Sequence, residues 1–137
     1  MVDDQRAEVR LDRLEELIER LEEVRAGGKD AYLADARLRA MTERWLQVAI
    51  QVCIDLGAQV VAELSARAPS DYAGIFEILG DKELIPKDLA ERLGSAAKQR
   101  NLLIHLYLDV NDSAVFASLA CLDDLRQFAA FAKQRLD

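Results

Sequence analysis

Between Leu33 and Leu64 the chain places apolar residues on nearly every side of a helical wheel. They are Leu33, Leu38, Met41, Trp45, Leu46, Val48, Ala49, Ile50, Val52, Cys53, Leu56, Val60, Val61 and Leu64. A helix that is apolar all round must be covered all round, so this stretch is expected at the centre of a helical bundle. Asp30 reads as its N-cap and Arg67, ahead of Pro69, as its end, a span of roughly ten turns. Gly57 marks a possible kink within it. Trp45 is expected in the core or at a contact between two copies of the chain.

The remaining segments supply helices to cover it. From Asp4 to Ala26, Val9 or Leu11, then Leu14, Leu17, Ile18, Leu21 and Val24, recur at three- and four-residue steps between charged positions. Gly27-Gly28 closes that helix. Ser70 or Asp71 caps a short third helix whose inner side is Tyr72, Ile75, Phe76 and Leu79, with Gly80 as its stop. Pro86 reads as the first residue of a fourth helix. Gly94-Ser95 either bends this helix or lets Ser95 cap a fresh one, which ends near Asp109. Asp112 caps a last helix that reaches the C-terminus. The 137 residues make one domain, 1–137. The expected fold class is all-α, a bundle of about five helices with a long central helix.

No uninterrupted apolar run of about 18 residues is present, so no transmembrane helix is expected. The charged N-terminus MVDDQRAEVR lacks a signal-peptide core, and the chain is expected to be cytoplasmic. Cys53 and Cys121 have no neighbouring cysteine or histidine and read as small buried hydrophobes. No cofactor or metal motif is found. The net charge of −7 opposes general affinity for nucleic acid, leaving room only for a local basic cleft from Lys98, Arg100 and Arg92. The same acidity suits a basic protein partner.

Against this background Arg100-Asn101-Leu102-Leu103-Ile104-His105-Leu106-Tyr107 stands out. It contains the single histidine of the chain among aliphatic residues, together with a guanidinium, an amide and a phenol. Polar groups on an apolar helix cost free energy unless they meet partners or a polar cavity. Arg100 and Tyr107, seven apart, share a face; Asn101 and His105, four apart, form a second pair. Arg100 and His105 are separated by roughly 140° about the helix axis. One helix therefore offers the two sides of a wide arc. A two-fold partner helix laid across it would unite the groups of both copies in one cleft.

Arg-x4-His followed by x-Tyr resembles the HEPN superfamily, and within it the HepT-like toxins, through Arg100, Asn101, His105 and Tyr107. The resemblance implies a HEPN-like helical fold and a homodimeric, metal-independent endoribonuclease. It also implies a nucleotidyltransferase antitoxin of the MntA type, which silences the toxin by attaching AMP to the tyrosine, here Tyr107. The residue chemistry is compatible. A histidine titrating near neutrality can exchange protons with a ribose 2′-hydroxyl and a leaving 5′-oxygen, and a guanidinium can clamp the phosphate between them. Asn101 can orient His105 or touch a phosphate, and Lys98 is a candidate RNA phosphate contact. Two other readings use the same residues. One is a non-catalytic nucleotide-binding or substrate-binding partner of a nucleotidyltransferase; the other is a dimerisation bundle whose polar groups satisfy one another.

Overall fold

The computed structural model describes residues 4–64, 69, 71–105 and 111–136, with the side chains of positions 4, 101–105 and 136 left aside. Every described element is helical. In chain order they are α1 (Asp4–Gly27), α2 (Lys29–Ala34), α3 (Ala36–Glu63), α4 (Tyr72–Asp81), α5 (Lys87–His105), α6 (Asp112–Ala117), a 3₁₀ turn (Ser118–Cys121) and α7 (Leu122–Leu136). The five expected helices are all present, two of them subdivided.

The expected second helix is interrupted at Asp35, not capped at Asp30. Asp35 is extended, and its carboxylate accepts hydrogen bonds from the backbone N–H groups of Arg37 at 3.0 Å and Leu38 at 3.1 Å. An aspartate that can satisfy two otherwise orphaned helix donors offers the backbone an alternative to continuing the helix. The break leaves α2 as a separate short element and carries Tyr32 into the core. Upstream, Gly28 makes the joint between α1 and α2 at a φ of 91°, where a side chain would be strained. Of the α1 alternatives, Leu11 is buried while Val9 is 66% exposed.

The apolar run becomes α3, which packs against α1, α4, α5 and α7. Its best 18-residue window has a mean hydropathy of 1.4, so by length and composition it could cross a membrane; 56% of that window is buried in the bundle. Leu46, Ala49, Ile50, Cys53, Ile54, Leu56, Val60 and Val61 form its buried surface. Gly57 does not divide the helix. Instead, a Cβ there would lie 2.8 Å from Ile75 Cγ2, so the missing side chain makes room for α4.

Asp71 caps α4 by accepting from Gly74 N at 2.8 Å. The helix lies between α3 and α5, so its buried face widens to include Ile78 beside Ile75, Phe76 and Leu79, while Tyr72 stays 43% exposed. Gly80 is not the stop either. The helix continues to Asp81 and closes through Glu83, a non-glycine residue at a φ of 59°, with Leu84 N donating to Leu79 O. Gly80 serves packing, since a Cβ there would stand 2.9 Å from Ala90 Cβ of α5.

Pro86 precedes α5, its carbonyl accepting from Ala90 N at 3.0 Å, so it caps the helix from outside. α5 then runs unbroken through Gly94 and Ser95. Asn111, not Asp112, caps α6 by accepting from Ala114 N. The expected single last helix is divided by the 3₁₀ turn, where Ser118 Oγ donates to Val115 O at 2.6 Å. α7 returns across the core, with Phe128 set edge-on to Phe76 at 5.6 Å.

These contacts give a stability expectation. Gly80→Ala should lower the melting temperature, because forcing α4 from α5 costs about 1–3 kcal/mol while the gain in helix propensity is about 1 kcal/mol. Adding Ala90→Gly should recover part of the loss. Gly27→Ala, with open space around its Cβ position, should not lower it. Thermal unfolding of the three variants checks this.

Candidate functional site

The inward stripe of α5 runs through Leu89, Ala90, Leu93, Ala96 and Ala97, all buried. Arg100 is the next member of that stripe, seven residues after Leu93 and three after Ala97. It is half-buried where the preceding pattern would place an aliphatic residue. Asn101 and His105 follow on the same unbroken helix, which is described through His105; its expected end near Asp109 lies outside the described residues. The backbone therefore keeps the register of Arg100, Asn101 and His105 that the spacing requires. Tyr107 lies outside the described residues.

Lys98 is not brought beside Arg100. It sits roughly 200° around the helix from it, exposed on the far side. There it lines a groove of about 650 Å³ between α4 and α5, together with Lys87, Glu77, Asp81 and Glu91. Arg92 is also committed elsewhere. Its Nε donates to Asp124 at 2.9 Å and its Nη1 meets Asp88 at 3.4 Å, tying α5 to α7. Arg25 and Arg126 are similarly held by Glu22, at 2.7 and 2.8 Å. The hydrogen bonds from Arg126 and Arg25 hold the Glu22 carboxyl below its ordinary range.

A second polar cluster lies where α2, α3 and α6 meet. Arg39 reaches from α3 to two neighbours. Its Nη1 donates to the Leu33 carbonyl at the end of α2, and its Nε lies 3.4 Å from Asp112 Oδ2 on the first turn of α6. The Tyr32 ring packs on Phe116 of α6 at 5.3 Å. Tyr32 is fully buried, and among the described residues neither its hydroxyl nor Thr42 Oγ1 has a hydrogen-bond partner. Burial, with Asp112 and Glu43 nearby, pushes the Tyr32 phenol up to about 12. Burial followed by the Asp112 charge raises the Glu43 carboxyl above its ordinary value, against an opposing pull from Arg39.

Sequence reasoning missed this corner. Its one local signal is the i,i+4 spacing of Arg39 and Glu43; the partner Asp112 is remote in sequence and reads there as a helix cap. The two thiols are poor nucleophiles. Cys53 is fully buried and pushed well up, and Cys121, half-buried, is raised to about 11, both chiefly by burial.

Comparison with known proteins bears on the whole chain. The family profile described as ribonuclease HepT-like matches residues 14–134. A tRNA nuclease HepT from Aphanizomenon flos-aquae is 26% identical over 128 residues, covering 93% of this chain and 85% of that protein. Among solved structures, a tri-AMPylated HEPN toxin of Shewanella oneidensis, in complex with an MNT antitoxin, is similar with a TM-score of 0.85. It is 22% identical, with coverage of 98% of this chain and 99% of that one. A cytosolic protein of unknown function from Bacillus subtilis, YutE, gives 0.83 at 18% identity, covering 98% and 91%. At these identities the structural likeness concerns the fold.

The Glu43 environment has a pH signature. Because its folded-state pKa is raised, the carboxylate costs stability at neutral pH and the cost disappears once the group is protonated in both states. Glu43→Gln should therefore raise the melting temperature at pH 7. The gain should shrink as the pH falls through the raised pKa and vanish below the ordinary glutamate value of about 4.3. Melting curves of both proteins across that range measure it.

Proposed function

The chain belongs to the ribonuclease HepT-like family, and from that membership we propose that it is a metal-independent endoribonuclease acting as a homodimer. The carrying observation is the family match over residues 14–134, which includes a half-buried arginine where α5 should be aliphatic and the single histidine on the same helix. In this reading Arg100 and His105 are catalytic. Neutral His105 takes the proton of a ribose 2′-hydroxyl as that oxygen attacks the adjacent phosphorus. The bond from phosphorus to the 5′-oxygen breaks, and a protonated imidazole, from this copy or its partner, returns a proton to the leaving oxygen. The products are a 2′,3′-cyclic phosphate and a free 5′-hydroxyl. Arg100 clamps the phosphate and offsets the charge that develops on it. Asn101 supports His105, and Lys98 meets phosphate farther along the strand.

The likeness to an AMP-carrying toxin held by an MNT antitoxin supports a second part of the proposal. A nucleotidyltransferase of the MntA type is the partner, and Tyr107 accepts AMP. The phenol oxygen attacks the α-phosphorus of ATP and pyrophosphate leaves. Seven residues from Arg100, the added anion would compete for the cation that substrate phosphate needs. A cytoplasmic site of action fits this pairing. The acidic balance, with Arg25, Arg92 and Arg126 already paired to carboxylates, means RNA affinity should be weak and strongly reduced by salt.

The same net charge of −7 favours one alternative, a non-catalytic nucleotide-binding partner of a nucleotidyltransferase, in which Arg100 and His105 hold phosphate without breaking a bond. Nucleotide binding without RNA cleavage would identify it. Under the ribonuclease reading, His105→Ala should reduce cleavage of an RNA substrate by roughly 10²–10⁴-fold while the dimer stays folded. Undiminished cleavage would reject it. Co-expression with the nucleotidyltransferase and ATP should raise the intact mass by whole AMP units, and Tyr107→Phe should abolish the increase.

A further inference from the structure

α3 needs cover on every side, yet only 56% of its most apolar 18-residue window is buried. Its open side is one continuous stripe. Met41, Arg44, Val48, Gln51, Asp55 and Ala58 are all exposed or half-buried, with Met41 44% exposed. They recur at alternating steps of three and four residues, the spacing of a coiled-coil seam, and so lie in one line along the helix. That line is opposite Leu46, Cys53 and Gly57, which face the core. Two charges interrupt it, one of each sign. Among the described residues Arg44 has no ion-pair partner, whereas Arg25, Arg39, Arg92 and Arg126 are each paired within the chain. Asp55 Oδ1 accepts from Gln51 Nε2 at 2.8 Å, which leaves Oδ2 as an acceptor.

We propose that this stripe is the contact between two copies of the chain, laid antiparallel about a two-fold axis that passes between Val48 and Gln51. A two-fold axis makes every contact reciprocal. The register that sets Arg44 opposite Asp55 of the second copy also sets Val48 opposite its Gln51 and Met41 opposite its Ala58. Two ion pairs form, the long Met41 meets the smallest side chain of the line, and no like charges oppose. Gln51, its amide already turned to Asp55, offers Val48 its stem. A parallel arrangement would set Arg44 on Arg44 and Asp55 on Asp55. The pattern thus complements its own reverse, which selects a second copy of this chain over a different partner. The line is also neutral on a chain of net charge −7, so two acidic molecules meet where neither adds charge to the other. This contact rests on the homodimer reading given above and supplies that dimer with its surface.

The test is sedimentation velocity over a concentration series of the parent, Arg44→Glu, Asp55→Arg and the double variant. The parent should sediment as a dimer. Each single reversal places like charges at two points of the interface and should raise the dimer Kd roughly tenfold or more. The double variant restores both pairs with their signs exchanged and should return Kd to within about threefold of the parent. Arg44→Glu makes the chain more acidic and Asp55→Arg less acidic, so weakening by both separates a local pair from overall repulsion. Val48→Glu, beside the axis, should give monomer, whereas Val9→Glu, on the exposed side of α1, should leave Kd unchanged. Circular dichroism should show every variant still helical, since none of these positions is fully buried. A parent dimer indifferent to both single reversals, or a double variant no tighter than the singles, would overturn the proposed surface and leave the homodimer reading standing. A monomeric parent would overturn both.

Discussion

The cover demanded by α3 governs the rest of the molecule. Its apolar surface would be costly in water at about 25 cal/mol per Å², and one helix can be shielded only by several others laid around it. α1, α4, α5 and α7 do this, with Leu14, Leu17 and Leu21 from one side and Ile75, Leu79, Leu93 and Phe128 from the others. Close approach is obtained by subtraction. Gly57 admits Ile75, and Gly80 admits Ala90. The result is a tight contact between α4 and α5, which holds the helix bearing Arg100, Asn101 and His105.

The same bundle commits several of its charges to joints between helices. Salt-bridged carboxylates occupy Arg25, Arg92 and Arg126, joining α1, α5 and α7 at their surfaces, and these cations serve architecture. Arg100 stands in line with Leu93 and Ala97 on α5 and is half-buried, a placement in which a long arginine stem can lie along apolar surface. A cation in such a position is less screened than one on the open surface, which is the setting that phosphate recognition and charge stabilisation require.

Much of this was legible in the sequence because periodicity reports burial. The α1 stripe, the central position of α3 and the anomaly of Arg100 within α5 follow from which residues recur on a helical face. Roles set by tertiary contact were not legible. Gly57 and Gly80 look like a kink and a stop because glycine weakens a helix locally, whereas their neighbours in space are Ile75 and Ala90. Asp35 and Asp30 are both acceptable caps by residue type, and the burial of Tyr32 between them favours the break at Asp35. Asn111 takes the capping role expected of Asp112, which leaves that carboxylate to Arg39, a partner no local pattern indicates. The position of His105 on α5 could be read from spacing, while the proposed approach of a second copy's histidine depends on helix crossing, which no single-chain pattern encodes.

The central claim is that this chain breaks RNA through the ribose 2′-hydroxyl, and it is tested most directly with a short RNA containing one cleavable linkage. The parent protein, in excess EDTA, would be given that RNA and its counterpart with a single 2′-deoxy substitution at the linkage. The expected result is cleavage of the first to a 2′,3′-cyclic phosphate and a 5′-hydroxyl, with the second left intact. Cleavage of the deoxy linkage, or activity that vanishes in EDTA and returns with a divalent metal, would contradict the account.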